Sequence, residues 1–198
     1  MDGSYTISRL LRGRRNTEPF ATGHAGVSGS PPEGEICVVL GSAVQRNTFP
    51  DSFIGQDEYY KAVTSGGDPT AVSPQTFESQ GHDLMPAAPV HVTGTRDGSD
   101  NLTIGWVRRT RYGGLGLVGP TPLNEDSEAY SIDIYNGATV VRTIAWTPGT
   151  YDANGNPETS YTAADQTADG LTPGNPVSVV IYQLSGEVGR GFPAPAVI

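Results

Sequence analysis

The 198-residue chain holds 26 glycines and 16 prolines, about a fifth of its length against a usual ~12%, which excludes long helices and coiled coils. Apolar residues make up 36% and charged residues 17%, both below the globular averages of ~45–50% and ~25%, a balance that fits many short strands joined by turns. Lysine and arginine number 12 against 21 acids, a net charge of −9, so a broad phosphate-binding surface, and with it a nucleic-acid partner, is not expected.

Lys61 is the only lysine; every other basic residue is arginine, whose planar guanidinium suits bidentate contacts at interfaces. The single cysteine, Cys37, sits in the apolar run 36–40, which rules out an intrachain disulfide or a cysteine metal cluster and predicts a buried thiol. The polar start Met1-Asp2-Gly3-Ser4-Tyr5 does not read as a secretory signal. No apolar run approaches the ~20 residues that span a bilayer, so the expectation is a soluble chain, or one assembled into something soluble.

In chain order, residues 5–11 alternate as a strand does, Gly34-Glu35 leads into a strand over 36–40, and 59–64 predicts another before the turn at 65–69. Three or four strands are too few for an independent core, so this half is expected to pack on another chain or on the second domain. Met85-Pro86-Ala87-Ala88-Pro89 marks the boundary, because two prolines remove donors and force extended backbone. The expected domains are a β-rich region over 1–85 and a β-sandwich over 86–198, an all-β fold overall.

Within 86–198, Val90 and Val92 open a strand and Asp97-Gly98 turns it back into Leu102, Ile104 and Trp106. Tyr130, Ile132 and Ile134 form the next strand, Asn136-Gly137 a hairpin into 140–144, and Val177, Val179 and Ile181 a further strand. A short helical turn is expected near 162–168. The last strand, 192–198, carries Pro193 and Pro195 and so belongs at a sheet edge.

Motifs that dictate a reaction are absent from this pattern. Gly114-Leu115-Gly116-Leu117-Val118-Gly119 has the spacing of a dinucleotide loop, but Pro120 and Pro122 forbid the helix that must follow. Asp152, Asn154, Asn156 and Glu158 alternate like calcium ligands yet lack the glycine placement of an EF-hand, so a hairpin tip is expected. His24, His82 and His91 lack metal-ligand spacing, and Gly26-Val27-Ser28-Gly29-Ser30 misses a nucleophile elbow by one position. No cofactor is expected. The candidate interface residues are Arg9, Arg12, Arg14 and Arg15, balanced by Glu18, Glu33 and Glu35, together with Arg108, Arg109 and Arg111, which end the Trp106 strand. The second group is expected to pair with the acids at 125–128 and so pin the long intervening loop.

The strand order, the Trp106 strand, the Leu171-Thr172-Pro173-Gly174 corner and the valine-rich strand after it resemble a fibronectin type III domain over 86–198. Val177 stands where that family places its corner tyrosine. A second resemblance spans nearly the whole chain. Ile7-Ser8-Arg9-Leu10-Leu11-Arg12-Gly13-Arg14-Arg15-Asn16-Thr17-Glu18, Tyr60-Lys61-Ala62-Val63-Thr64, Pro89-Val90-His91-Val92, residues 102–111, Ser127-Glu128-Ala129-Tyr130, Tyr161-Thr162-Ala163-Ala164 and Val188-Gly189-Arg190-Gly191-Phe192-Pro193 are similar to the carboxyl end of tail-tip proteins of gene transfer agents and siphophages. Asn16 stands where that family has glycine.

That resemblance implies a structural role in a baseplate hub or host-specificity protein of the virion, made in the bacterial host cytoplasm. It implies a trimer below the tail tube, with a larger hub subunit and a distal tail protein as neighbours and a host surface receptor as a possible contact. It carries over no catalytic residues. The family proteins are much longer, so the expectation is a separately encoded carboxyl-terminal portion whose first half docks on a larger hub subunit. Two alternatives stand beside it: a receptor or carbohydrate binder using Tyr112, Tyr135, Tyr151 or Tyr182, and an accessory module of a polysaccharide hydrolase using an acid such as Glu128.

Overall fold

A computed structural model describes residues 48–112 and 121–198. The expected strands at 5–11 and 36–40, Cys37, His24, the serine at 28 and the glycine-rich loop at 114–119 lie outside the described residues. The described residues form two compact units, with the chain passing from one to the other at Met85 and Pro86.

In the first unit, β1 (Asp57–Tyr60) pairs antiparallel with β2 (Gln75–Glu78), in the register Asp57↔Glu78, Glu58↔Phe77, Tyr59↔Thr76 and Tyr60↔Gln75. Two 3-10 turns accompany them, at Asp51–Phe53 and Pro69–Ala71. Asp68 caps the second, its carboxylate accepting from Thr70 N at 2.8 Å and Thr70 Oγ1 at 2.7 Å. The strand expected over 59–64 ends at Tyr60 instead. Its partner runs out at Gln75, because Pro74 has no N–H to extend the ladder, and Lys61 turns away to donate to Pro69 O at 3.0 Å.

The second unit is a two-layer β-sandwich. One sheet is three-stranded, ordered β3 (Val90–Arg96), β4 (Leu102–Val107), β7 (Glu158–Tyr161). The other runs β10 (Ala194–Val197), β8 (Ser178–Ser185), β5 (Tyr130–Asn136), β6 (Thr139–Trp146), with the two-residue β9 (Gly189–Arg190) paired to β8; all pairings are antiparallel. Three strands facing four is the fibronectin type III arrangement, and the fold is all-β. Alternation builds the core: Leu102, Ile104 and Trp106 from β4, Tyr130, Ile132 and Ile134 from β5, and Val179 and Ile181 from β8, with Val177 just before it, are buried between the sheets. Pro195 sits on edge strand β10, where a missing N–H breaks no interior ladder.

Turn chemistry closes the strands. Asp97 and Asp152 each begin a D-x-x-x-N loop of the same construction. The carboxylate of Asp97 accepts from Ser99 N, Asn101 N and Asn101 Nδ2, and that of Asp152 from Asn154 N, Asn156 N and Asn156 Nδ2, at 2.8–3.0 Å. The fourth residue takes positive φ in both, Asp100 at 60° and Gly155 at 79°. The acid-rich stretch with calcium-like spacing is therefore a hydrogen-bonded hairpin tip, its Asp152 oxygens turned onto the loop's own amides. His91, at φ 51°, marks a bulge in β3.

One helix, α1 (Ala163–Ala168), bridges β7 and β8. Thr162 caps it, accepting from Asp165 N at 3.1 Å. Val177, at the family's tyrosine position, is packed in the core, and this corner is tied by another residue. Gln166, fully buried, donates through Nε2 to Asp100 O and Tyr161 O at 3.0 and 3.1 Å, while its Oε1 accepts from Arg96 Nη1 at 3.0 Å. One glutamine thus fastens the β3–β4 hairpin, β7 and the helix together.

Candidate functional site

At the opposite end of the sandwich, the segment from Val107 to Tyr130 returns to the sheets through arginine and glutamate side chains. Arg108, just past the last residue of β4, places Nη1 2.6 Å from Glu128 Oε1 and donates through Nη2 to Thr121 O at 2.5 Å. Arg111 Nε lies 3.0 Å from Glu125 Oε1, an ion pair too bent for a hydrogen bond, and Nη2 donates to Asn124 O at 3.2 Å. The Glu125 side chain is only 4% exposed, so this pair lies in a poorly solvated environment. Asn124, at φ 58°, donates to Thr110 Oγ1 and Tyr112 O, which closes the loop's neck.

Glu128 is the centre of this end. Its Oε1 also accepts from the Tyr130 hydroxyl at 2.9 Å and its Oε2 from the Tyr151 hydroxyl at 3.3 Å. Tyr151 stacks edge-on against Trp146 at 5.4 Å, and Trp146, Tyr130 and Trp106 meet mutually at 5.1–5.9 Å in tilted, edge-to-face geometry. Trp146 Nε1 donates to Glu158 O at 2.8 Å. Burial, and next the charge of Glu128, push the Tyr130 hydroxyl far above the usual tyrosine range and raise that of Tyr151. Both oxygens of Glu128 are held, and its position is that of an anchor for aromatic side chains.

A second cluster lies on the outer face of the four-stranded sheet. Arg190 grips Asp133 with two bonds, at 2.6 and 2.9 Å, reaches Ser131 Oγ at 2.7 Å, and lies 4.5 Å from the centre of the Tyr182 ring. Thr143 Oγ1 donates to Asp133 Oδ1 at 2.7 Å. Burial alone would raise the Asp133 carboxyl, but the Arg190 fork and the Thr143 hydroxyl outweigh it and hold the group below its usual 3.8. Beside this cluster, Tyr135, Ser178, Val180, Pro195 and Val197 line an open groove of about 500 Å³.

The structure therefore sorts the sequence-derived candidates. Arg9, Arg12, Arg14 and Arg15 lie outside the described residues. Arg108 and Arg111 pair with Glu128 and Glu125, joining the residues just after β4 to those just before β5, while Arg109, partly buried, stands between the two arginines in sequence. The four tyrosines divide: Tyr151 belongs to the Glu128 cluster and Tyr112 packs 5.5 Å from the Arg111 guanidinium, whereas Tyr135 and Tyr182 share the outer sheet face. Gln166 and the Asp133–Arg190 pair carry no motif. The one hint in the sequence is an acid at an outward position between Ile132 and Ile134 in β5.

Among the described residues no group of three His, Cys, Asp or Glu side chains is placed to hold a metal, and no helix is long and apolar enough to cross a membrane. No protein-family model matches the chain, and no curated protein matches it. Solved structures similar to it include the rat CD45 extracellular region, domains d3-d4, at 12% identity over 100% of this chain and 85% of that one, with a TM-score of 0.38. They also include the FN5 domain of Drosophila Lar, at 16% identity over 57% of this chain and 94% of that one, with a TM-score of 0.31. The assignment of the sandwich rests on its own strand order.

Proposed function

We propose that this chain is a non-enzymatic structural component of a phage or gene-transfer-agent tail tip. In this reading the sandwich is a rigid spacer or outward contact domain, and residues 1–85 join a larger hub subunit. The observation that carries it is that no side chain between residues 48 and 80 is buried. A two-stranded hairpin without a core is marginal in water, so this segment draws stability from a partner surface, as an assembly protein does. The collinear motifs from Ile7 to Pro193 support the tail tip as that assembly.

Light scattering coupled to size exclusion tests the proposal, on the chain alone and mixed with the larger hub subunit and the distal tail protein. A stable complex, with threefold stoichiometry, is the expected result; a compact monomer that ignores both proteins refutes it. The groove beside Tyr135 and Tyr182 favours a second reading, a receptor- or carbohydrate-binding sandwich. That reading requires saturable sugar binding that Tyr135→Ala abolishes.

A further inference from the structure

We infer that the aromatic face of the β1–β2 hairpin docks a protein surface that is apolar at its centre and basic at its rim. The inference rests on the assembly reading above and adds to it a face and a partner chemistry. In the register of the hairpin, Tyr60 and Phe77 share one face, their rings 6.3 Å apart. Phe49 joins Tyr60 at 6.4 Å and Phe53 joins Phe49 at 6.1 Å. These four rings form a continuous edge-to-face and tilted row, each ring 37–57% exposed. Aromatic residues supply large contact area at small entropic cost and are enriched at the centres of interfaces.

Charge around the row selects its occupant. Residues 48–85 hold Asp51, Asp57, Glu58, Asp68, Glu78 and Asp83 against one lysine, Lys61, and no arginine, and the Lys61 ammonium already donates to Pro69 O. Glu58 stands directly opposite Phe77 on the face that carries the row, while Asp57 and Glu78, paired across the two strands, project from the other face. A basic group at the partner's rim meets Glu58 as the row is covered. The same charge repels nucleic acid, an anionic membrane and this face of a second copy.

The experiment measures binding of the full chain to the purified larger hub subunit and distal tail protein, at about 50 mM and about 500 mM salt. Phe77→Ser is expected to weaken binding about tenfold or more, as loss of a central aromatic anchor does. Glu58→Gln removes the acid that stands within the row and leaves the strand pairing intact, so its hairpin forms as well as the parent's. It is nevertheless expected to bind about threefold to tenfold more weakly at low salt, with little difference at high salt. A salt-dependent loss of affinity without a loss of folding separates docking from a structural role. A complex whose affinity both variants leave unchanged places docking elsewhere, overturning the inference while the assembly reading stands. Binding to neither protein overturns both. Self-association of the chain that Phe77→Ser abolishes makes the occupant a second copy and overturns the partner chemistry.

Discussion

Replacing Gln166 with leucine removes the polar fastening of the helical corner while nearly preserving side-chain volume. The wild-type amide is fully buried and makes three hydrogen bonds at 3.0–3.1 Å: two donated to the carbonyls of Asp100 and Tyr161, and one accepted from Arg96. Each neutral bond contributes about 0.5–1.5 kcal/mol and the charged one about 1.5–3, with more lost where a buried carbonyl is left without a donor. Arg96 keeps Asp100 O at 3.0 Å and Asn175 O at 2.5 Å, so its loss falls at the low end. Burial of the leucine returns about 1–2 kcal/mol. The net expectation is a destabilisation of about 2–3 kcal/mol, or a fall of about 8–20 °C in the Tm of a unit of this size. Circular dichroism followed through heat and urea measures it, with the denaturant slope unchanged. A Gln166→Leu chain within about 0.5 kcal/mol of the parent refutes the reasoning, since water would then serve those three groups as well as the glutamine does.

The other predictions concern charge and packing. Glu128→Gln breaks the ion pair with Arg108, whose side chain is still 22% exposed, and is expected to cost about 1–3 kcal/mol, weaken the near-ultraviolet tryptophan signal and speed tryptic cleavage after Arg108. The Asp133 carboxyl titrates below its ordinary 3.8, so its contribution is complete above that value and is lost as pH falls through the lower folded value. Acid titration of stability should therefore steepen below about pH 4, and less so in Asp133→Asn. Tyr130 and Tyr161 are shifted the other way, both chiefly by burial, so the folded chain loses stability as pH rises past 10. Their tyrosinate absorbance should appear only with unfolding; titration of all nine tyrosines in the folded chain would contradict this. Gly191→Ala would place Cβ 2.6 Å from Pro86 O and 3.0 Å from Gln183 O, both backbone atoms, and is expected to cost about 1–3 kcal/mol in chemical denaturation.

Legibility in the sequence followed burial. Strands β4, β5 and β8 bury one face against a core, so their apolar residues alternate and could be read directly. The edge position of β10 followed from its prolines, and α1 from Thr162. In contrast, β7 reads Glu158-Thr159-Ser160-Tyr161, β2 reads Gln75-Thr76-Phe77-Glu78 and β9 is two residues long, so none carries a periodic apolar signal. Pairing of arginines with the acids at 125–128 could be read because the arginines directly follow β4 and the acids directly precede β5, at the two ends of one connection between the facing sheets. The bonds of Gln166 could not, because Asp100 and Tyr161 join it only through the fold, and a glutamine in a short helix reads as solvated. Tyr60 and Phe77 are separated by a turn and loop that hide their shared face until the register is known.

Hydrogen exchange of the full chain, alone and with the larger hub subunit, tests the central claim most directly: the sandwich stands by itself, and the hairpin needs a partner. The account predicts slow exchange throughout β4, β5 and β8 in the chain alone, near-intrinsic exchange in β1 and β2, and protection of those two strands when the hub subunit is added. Protection of β1 and β2 equal to that of the sandwich in the isolated chain would contradict it.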